Sequence, residues 1–380
     1  MKKAILMPDS FKGTMSSSEI CAIMRARILE YFPDCEVSSI PVADGGEGTV
    51  DCFLEAMGGE RVTVAVKGPF MEDIEGFYAI VNNGQTAIIE MAAAASLPMV
   101  AGREDPRVTT TYGVGQLIRD AVNRGCKRLI IGLGGSCTND MGAGAAAGAG
   151  VKFYNAQGKE FVPTGATLAE IAKIDVTAVR ELLNGIEVVA MCDIDNPLYG
   201  PTGAAYVFAP QKGADADMVK LLDANLAAAA QTVKAQLGVN VADMPGAGAA
   251  GGMGAGMVAF FGARLMPGIE TVLDTVEFER IAADADVIFT GEGRIDSQSL
   301  RGKVVIGIAG RAKKVGVPVI AVVGDIGDNM EPAYEMGVSC IFSTNRVAVD
   351  FSKAKPRAKS DMSLTVDTVL RTLKLGAGMK

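Results

Sequence analysis

Five short strand-like runs, two near the head of the chain and three near its tail, constrain the fold more than any other feature: Ala4–Met7, Glu36–Val42, Val287–Thr290, Val317–Val323 and Cys340–Ser343. The three late runs read as buried strands with helices between them, and all five, each linked by a helix, read as strands of one parallel sheet. A capping box, Ser16 with Glu19 three residues on, marks the start of the helix after the first run. Five parallel strands in the order 2-1-3-4-5 make a flavodoxin-like α/β sheet. Strands of one sheet at both ends of the chain require a discontinuous domain, residues 1–60 and 277–380, with a large mixed α/β domain, 61–276, inserted into it. A cut into two consecutive domains near residue 180 is the competing division.

Inside the insertion the pattern changes. Arg61–Lys67, Glu75–Val81 and Thr86–Met91 alternate and are separated by turn residues, including Asn82-Asn83-Gly84. They predict an antiparallel meander. Strand and helix then alternate again, with helices over about 112–124 and 217–237 and strands over 128–133 and 185–191.

Composition excludes several kinds of chemistry. The chain has no histidine, so Ser-His-Asp and Cys-His catalysis and histidine-bound metals are out. Its seven cysteines are scattered with no C-x-x-C pair, which argues against a zinc site or a redox dithiol. A net charge of −8 argues against nucleic-acid binding. The N-terminal apolar stretch is too short for a signal peptide, and no run reaches membrane-spanning length. A cytoplasmic protein with neither nucleic-acid nor membrane partners is expected.

The polar residues that matter follow the strands, where open α/β sheets bind ligands. Asp9-Ser10-Phe11-Lys12-Gly13 follows the first run, and Gly291-Glu292-Gly293-Arg294-Ile295-Asp296 follows the third. Asp44-Gly45-Gly46-Glu47-Gly48 follows the second; acidic residues among glycines suggest hydroxyl or metal contacts beyond a tight turn. Gly134-Gly135-Ser136-Cys137-Thr138-Asn139-Asp140 has the layout of a phosphate cradle, or of close helix–sheet packing. No G-x-x-x-x-G-K-[ST] string occurs. Gly246–Gly251 satisfies G-x-G-x-x-G, but it follows Asp243-Met244-Pro245 where a dinucleotide fingerprint would follow a strand. Asp193 and Asp195 end another strand, and Lys212 sits in a loop, Pro210–Gly213.

These strings, in register along nearly the whole chain, resemble the bacterial glycerate kinase family, with its flavodoxin-like domain and large insertion. The resemblance rests on Pro8–Gly13, Ala43–Thr49, Gly134–Gly144, Cys192–Leu198, Pro210–Gly213, Pro245–Gly254 and Gly291–Lys303. It implies ATP- and Mg²⁺-dependent phosphorylation of D-glycerate to 2-phosphoglycerate or 3-phosphoglycerate, in glyoxylate and sugar-acid metabolism. An NAD-dependent hydroxy-acid dehydrogenase and a non-catalytic sugar-acid-binding protein are the alternatives.

Phosphoryl transfer depends on positioning and charge neutralisation. On that ground Lys12 and Arg294 are assigned to the glycerate carboxylate and the transferring phosphoryl oxygens. Asp193 is the first candidate for base or metal ligand, with Asp9, Asp44, Glu292 and Asp296 as rivals and Glu292 and Asp296 as further metal ligands. Asp9, Ser10, Asp44, Gly45 and Glu47 are assigned to the substrate. Gly134, Gly135, Ser136, Asn139, Asp140 and Lys212 are assigned to the nucleotide.

Overall fold

A computed structural model describes residues 1–43 and 45–378. The strands of its two principal sheets are, in chain order, β1 Lys3–Pro8, β2 Glu36–Ser39, β3 Glu60–Lys67, β4 Asp73–Val81, β5 Thr86–Glu90, β6 Arg128–Gly132, β7 Glu187–Met191, β8 Arg264–Met266, β9 Val287–Gly291, β10 Val319–Val323 and β11 Val338–Ser343. The chain divides into two compact units. The first comprises Met1–Ala43, Glu55–Met57 and Ile269–Lys380, and the second Asp44–Leu54 and Gly58–Gly268.

The first unit holds the five-stranded sheet, in spatial order β2-β1-β9-β10-β11 and parallel throughout. Counted within the sheet, this is the 2-1-3-4-5 order expected. Every residue of β9 and β10 is buried, which explains why these segments carry no polar alternation. The helix after β1, Ser17–Tyr31, starts with the predicted capping box: Ser16 and Glu19 each accept the other's backbone amide. Its Ile20, Met24 and Ile28 share one apolar cluster with Met362, Val366 and Leu370 of the C-terminal helix, Ala358–Gly378, and with Leu6 and Phe289 of the sheet. Each such side chain contributes about 1.5–3 kcal/mol when fully buried. β2 is shorter than the run suggested, yet Ile40 and Val42 still donate to Leu6 and Pro8 (2.8 and 3.1 Å).

The second unit holds a six-stranded sheet in the order β8-β7-β6-β5-β4-β3. β3–β4 and β4–β5 are antiparallel, as the meander predicts, and the hairpin turns through Asn82, Asn83 and Gly84, all with positive φ. β5 then pairs in parallel with β6, so the sheet is mixed. The literal G-x-G-x-x-G string leads into a helix, Ala249–Phe261, packed against the loop Thr138–Met141. A Cβ at Gly251 would meet the Thr138 carbonyl at 2.0 Å, and one at Gly256 the Met141 carbonyl at 2.2 Å. These glycines allow one backbone to lie on another. Among the described residues no helix is long and apolar enough to cross a membrane.

Candidate active site

In the first unit the carboxyl ends of β1 and β9 lie side by side, with Pro8 opposite Gly291 and the Asp9 amide donating to the Gly291 carbonyl (2.8 Å). The loops Asp9–Gly13 and Glu292–Asp296 are therefore neighbours, as sheet order requires. Phe11 is buried and bridged to Met15, which leaves Lys12 at an exposed loop tip. Gly293 lies against Phe11 and Lys12. Arg294 begins a two-residue strand paired in parallel with Asp325-Ile326; its mostly exposed guanidinium is 3.8 Å from the Asp325 carboxylate. A pair this open contributes little to stability.

Glu292 is the unusual group of this cluster. It is buried, and its Oε1 has no hydrogen-bond partner among the described residues. Burial pushes its carboxyl up to about 7, opposed by a hydrogen bond from Ser299 and reinforced by the nearby charge of Asp9. Lys303 acts in the opposite sense to Asp9, and Asp296 in the same sense. The Ser299 hydroxyl also accepts the Asp296 amide (3.1 Å), and Asp296 accepts the amide of Gln298 (2.9 Å). An orphaned carboxylate oxygen beside two further carboxylates is a donor set of hard oxygens, which suits Mg²⁺. Among the described residues no three such side chains form a ready-made metal cage. Mg²⁺ commonly uses one or two carboxylates and takes its other oxygens from water and phosphate.

In the second unit the loop after β6 is built on close backbone contacts. The Gly134 amide donates to the Gly45 carbonyl (2.9 Å), and a Cβ on Gly134 would lie 2.5 Å from the Gly46 Cα. Gly134→Ala is therefore expected to destabilise the protein by about 1–3 kcal/mol in denaturant melts. Unchanged stability would show that the loop has room at this point. Gly135 lies beside the exposed Glu47. Asp44, expected in the same loop, lies outside the described residues.

Asp140 is fully buried and accepts from the Thr111 amide and hydroxyl (both 2.8 Å) and from the amides of Gly142 and Gly144 (3.1 and 3.3 Å). A carboxylate of the chain itself thus occupies the start of the short helix Ala143–Ala149, where the cradle layout invited a phosphate. Burial pushes the Asp140 carboxyl up, against these donors. Lys212 is also fully buried. Its ammonium donates to the Ser136 hydroxyl (2.7 Å) and the Thr138 carbonyl (2.6 Å), and burial brings it down to about 8. Both polar side-chain atoms of buried Asn139 lack partners among the described residues, as does the Thr138 hydroxyl. Unpaired donors and acceptors beside a buried cation form a concentrated polar cluster.

Asp193 belongs to the second unit, where its Oδ1 accepts the Gly268 amide (2.8 Å). Ser10 donates its amide to Asp9 (2.6 Å). Sequence reasoning did not single out Ser299 and Lys303, which act on Glu292, or buried Glu90, which accepts the Val50 amide (3.1 Å) at the start of the helix Thr49–Met57. A carboxylate closing the apolar strand β5 was the signal for Glu90. Ser299 and Lys303 lie within the string Gly291–Lys303, Ser299 opening a short 3-10 turn and Lys303 capping the helix Val304–Val315, but nothing in their residue types marked them out from their neighbours.

Residues 4–374 match the model of the glycerate kinase family. The chain is 42% identical to a glycerate kinase of Bacillus subtilis (strain 168), across 99% of each chain. It is 41% identical to the glycerate 2-kinase of Escherichia coli (strain K12), across 98% of each. A solved structure from Salmonella typhimurium LT2, described as a glycerate kinase 2, superposes with a TM-score of 0.88 at 40% identity over 99% of both chains.

Proposed function

The chain belongs to the glycerate kinase family, and from that premise we propose that it transfers the γ-phosphoryl group of ATP to the 2-hydroxyl of D-glycerate, releasing ADP and 2-phosphoglycerate. The observation that carries the site is the buried, unpartnered Glu292 oxygen at the carboxyl end of the central strand β9. Glu292 and Asp296 are the residues to hold Mg²⁺, which when bound neutralises phosphate charge. Asp9 accepts the proton of the attacking hydroxyl. Lys12 and Arg294 meet the anionic oxygens of the reacting groups, the phosphoryl and the glycerate carboxylate; Arg can hold a carboxylate through two parallel hydrogen bonds. Within the second unit, Lys212, with Ser136 and Asn139, offers buried donors suited to an anionic oxygen. The choice of the 2-hydroxyl follows the Escherichia coli relative's name. All seven cysteines are free thiols, which supports a reducing compartment, the cytoplasm.

The test is purified protein with Mg·ATP and D-glycerate, following ADP release and assigning the product by phosphorus NMR. A 3-phospho product would overturn the regiochemistry, and no ADP release the kinase reading. Removing divalent cations with EDTA is expected to lower turnover at least about 100-fold, the scale of losing several kcal/mol of charge neutralisation. Added Mg²⁺ or Mn²⁺ should restore it. Full turnover in metal-free buffer would remove the metal from the mechanism.

A further inference from the structure

A pocket of about 310 Å³ opens within the first unit, beside the Glu292 cluster. Four strand ends of the parallel sheet supply its wall: Lys12 follows β1, Gly293 follows β9, Asp325 follows β10 and Asn345 follows β11. This is the edge of an open α/β sheet at which ligands bind. The pocket is far larger than a three-carbon acid needs, and its chemistry is divided. One end carries the Lys12 ammonium and bare glycine backbone, since Gly324 lies so close to the Gly293 carbonyl that a Cβ there would sit 2.2 Å from it. The segment after β11 adds the apolar side chains Val349 and Phe351, which are 40% and 65% exposed, with Lys355 and Asp361 beyond them. Glycerate is polar throughout and gains nothing from an exposed aromatic ring. A flat heteroaromatic ring does, by stacking.

We propose that this pocket takes the nucleoside of ATP, with the adenine ring against Phe351 and Val349, the ribose towards Asp325, and the phosphates leaving past Lys12 and Gly293. The inference rests on the kinase reading for the identity of the ligand. Its geometry is independent of the glycine loop of the second unit, to which the sequence had assigned the nucleotide. The Asn345 side chain, exposed in the pocket wall, supplies the amide for the edge of the base.

The probe is 8-azido-ATP with Mg²⁺, photolysed on the full-length protein and mapped by mass spectrometry of peptides. The label is expected within residues 344–358, with ATP competing. In parallel, Phe351→Ala is expected to weaken Mg·ADP binding by about 5- to 100-fold in calorimetry, the scale of one base–aromatic stack. Its melting temperature should hold, because the ring is largely exposed. Label confined to residues 134–140 or 210–213, or absent from 344–358, overturns the proposal. So does a Phe351→Ala dissociation constant within about twofold of the wild type's. ADP release with D-glycerate tests the kinase reading separately. Label in this segment without that turnover keeps the pocket and discards the kinase; turnover without label here discards the pocket alone.

Discussion

Replacing Lys12 by Met or Arg294 by Gln is expected to lower kcat/KM by roughly 30- to 1000-fold while the melting temperature stays nearly unchanged. The first effect is the loss of a charge-assisted contact to a phosphoryl or carboxylate oxygen, on the order of 2–4 kcal/mol. The second follows from exposure: Lys12 stands at a loop tip, and Arg294 pairs with Asp325 only at 3.8 Å in solvent. Surface changes of this sort cost within about 0.5 kcal/mol. Because the two loops lie on adjacent strands, the residues should act on one bound ligand, and the double variant should depart from additivity. Wild-type kcat/KM in either single variant, with an intact fold, would remove that residue from the site.

Lys212→Met should cost a similar factor in kcat/KM, roughly 30- to 1000-fold, and should also leave a signature in stability against pH. Burial brings the Lys212 ammonium from the ordinary 10.5 down to about 8. Below pH 8 both the folded and the unfolded chain carry its proton, so the penalty of burying the charge is fully present, at about 3 kcal/mol. Between pH 8 and 10.5 the folded protein sheds the proton while the unfolded chain keeps it, so this residue's contribution to stability rises with pH. Lys212→Met lacks that titration. The stability difference, variant minus wild type, should be flat below pH 8 and shift against the variant by up to about 3 kcal/mol across the window. A difference that stays constant to pH 10.5 would show that the ammonium is not held at lowered affinity for its proton.

The sheet of the first unit was legible because strands buried on both faces are apolar at nearly every position. Val287–Gly291 and Val319–Val323 carry that pattern openly. Asp9, Lys12, Glu292 and Arg294 were legible because polar residues directly after such strands have few structural reasons to be there. The glycine loop after β6 was harder to read. Glycines that admit a phosphate and glycines that admit another backbone look alike in sequence, and at Gly134 and Gly251 the neighbour is backbone. The small sheet of Lys152–Tyr154, Glu160–Phe161 and Lys173–Asp175 left no signal, because strands of two or three residues are too short to show a period. The wall of the nucleoside pocket went unread for a related reason: Asn345 and Phe351 sit in a connection with no motif, and only sheet order gathers them near Lys12.

The pairing of β1 with β9 also sets a timetable for the ribosome. The Thr290 hydroxyl donates to the carbonyl of Met7, 283 residues earlier in the chain. At roughly 5–20 residues per second, the first strand waits on the order of 15–60 s for the neighbour that completes its hydrogen bonding. The second unit, whose residues lie almost wholly between, emerges and can condense during that interval. Through that time Ala4–Met7 has only β2 beside it, and the helix Ser17–Tyr31 lacks Phe289 and the C-terminal helix, against which its Ile20, Met24 and Ile28 pack. For that interval the emerging first strand and helix expose apolar surface and an unpaired strand edge of the kind that chaperones cover.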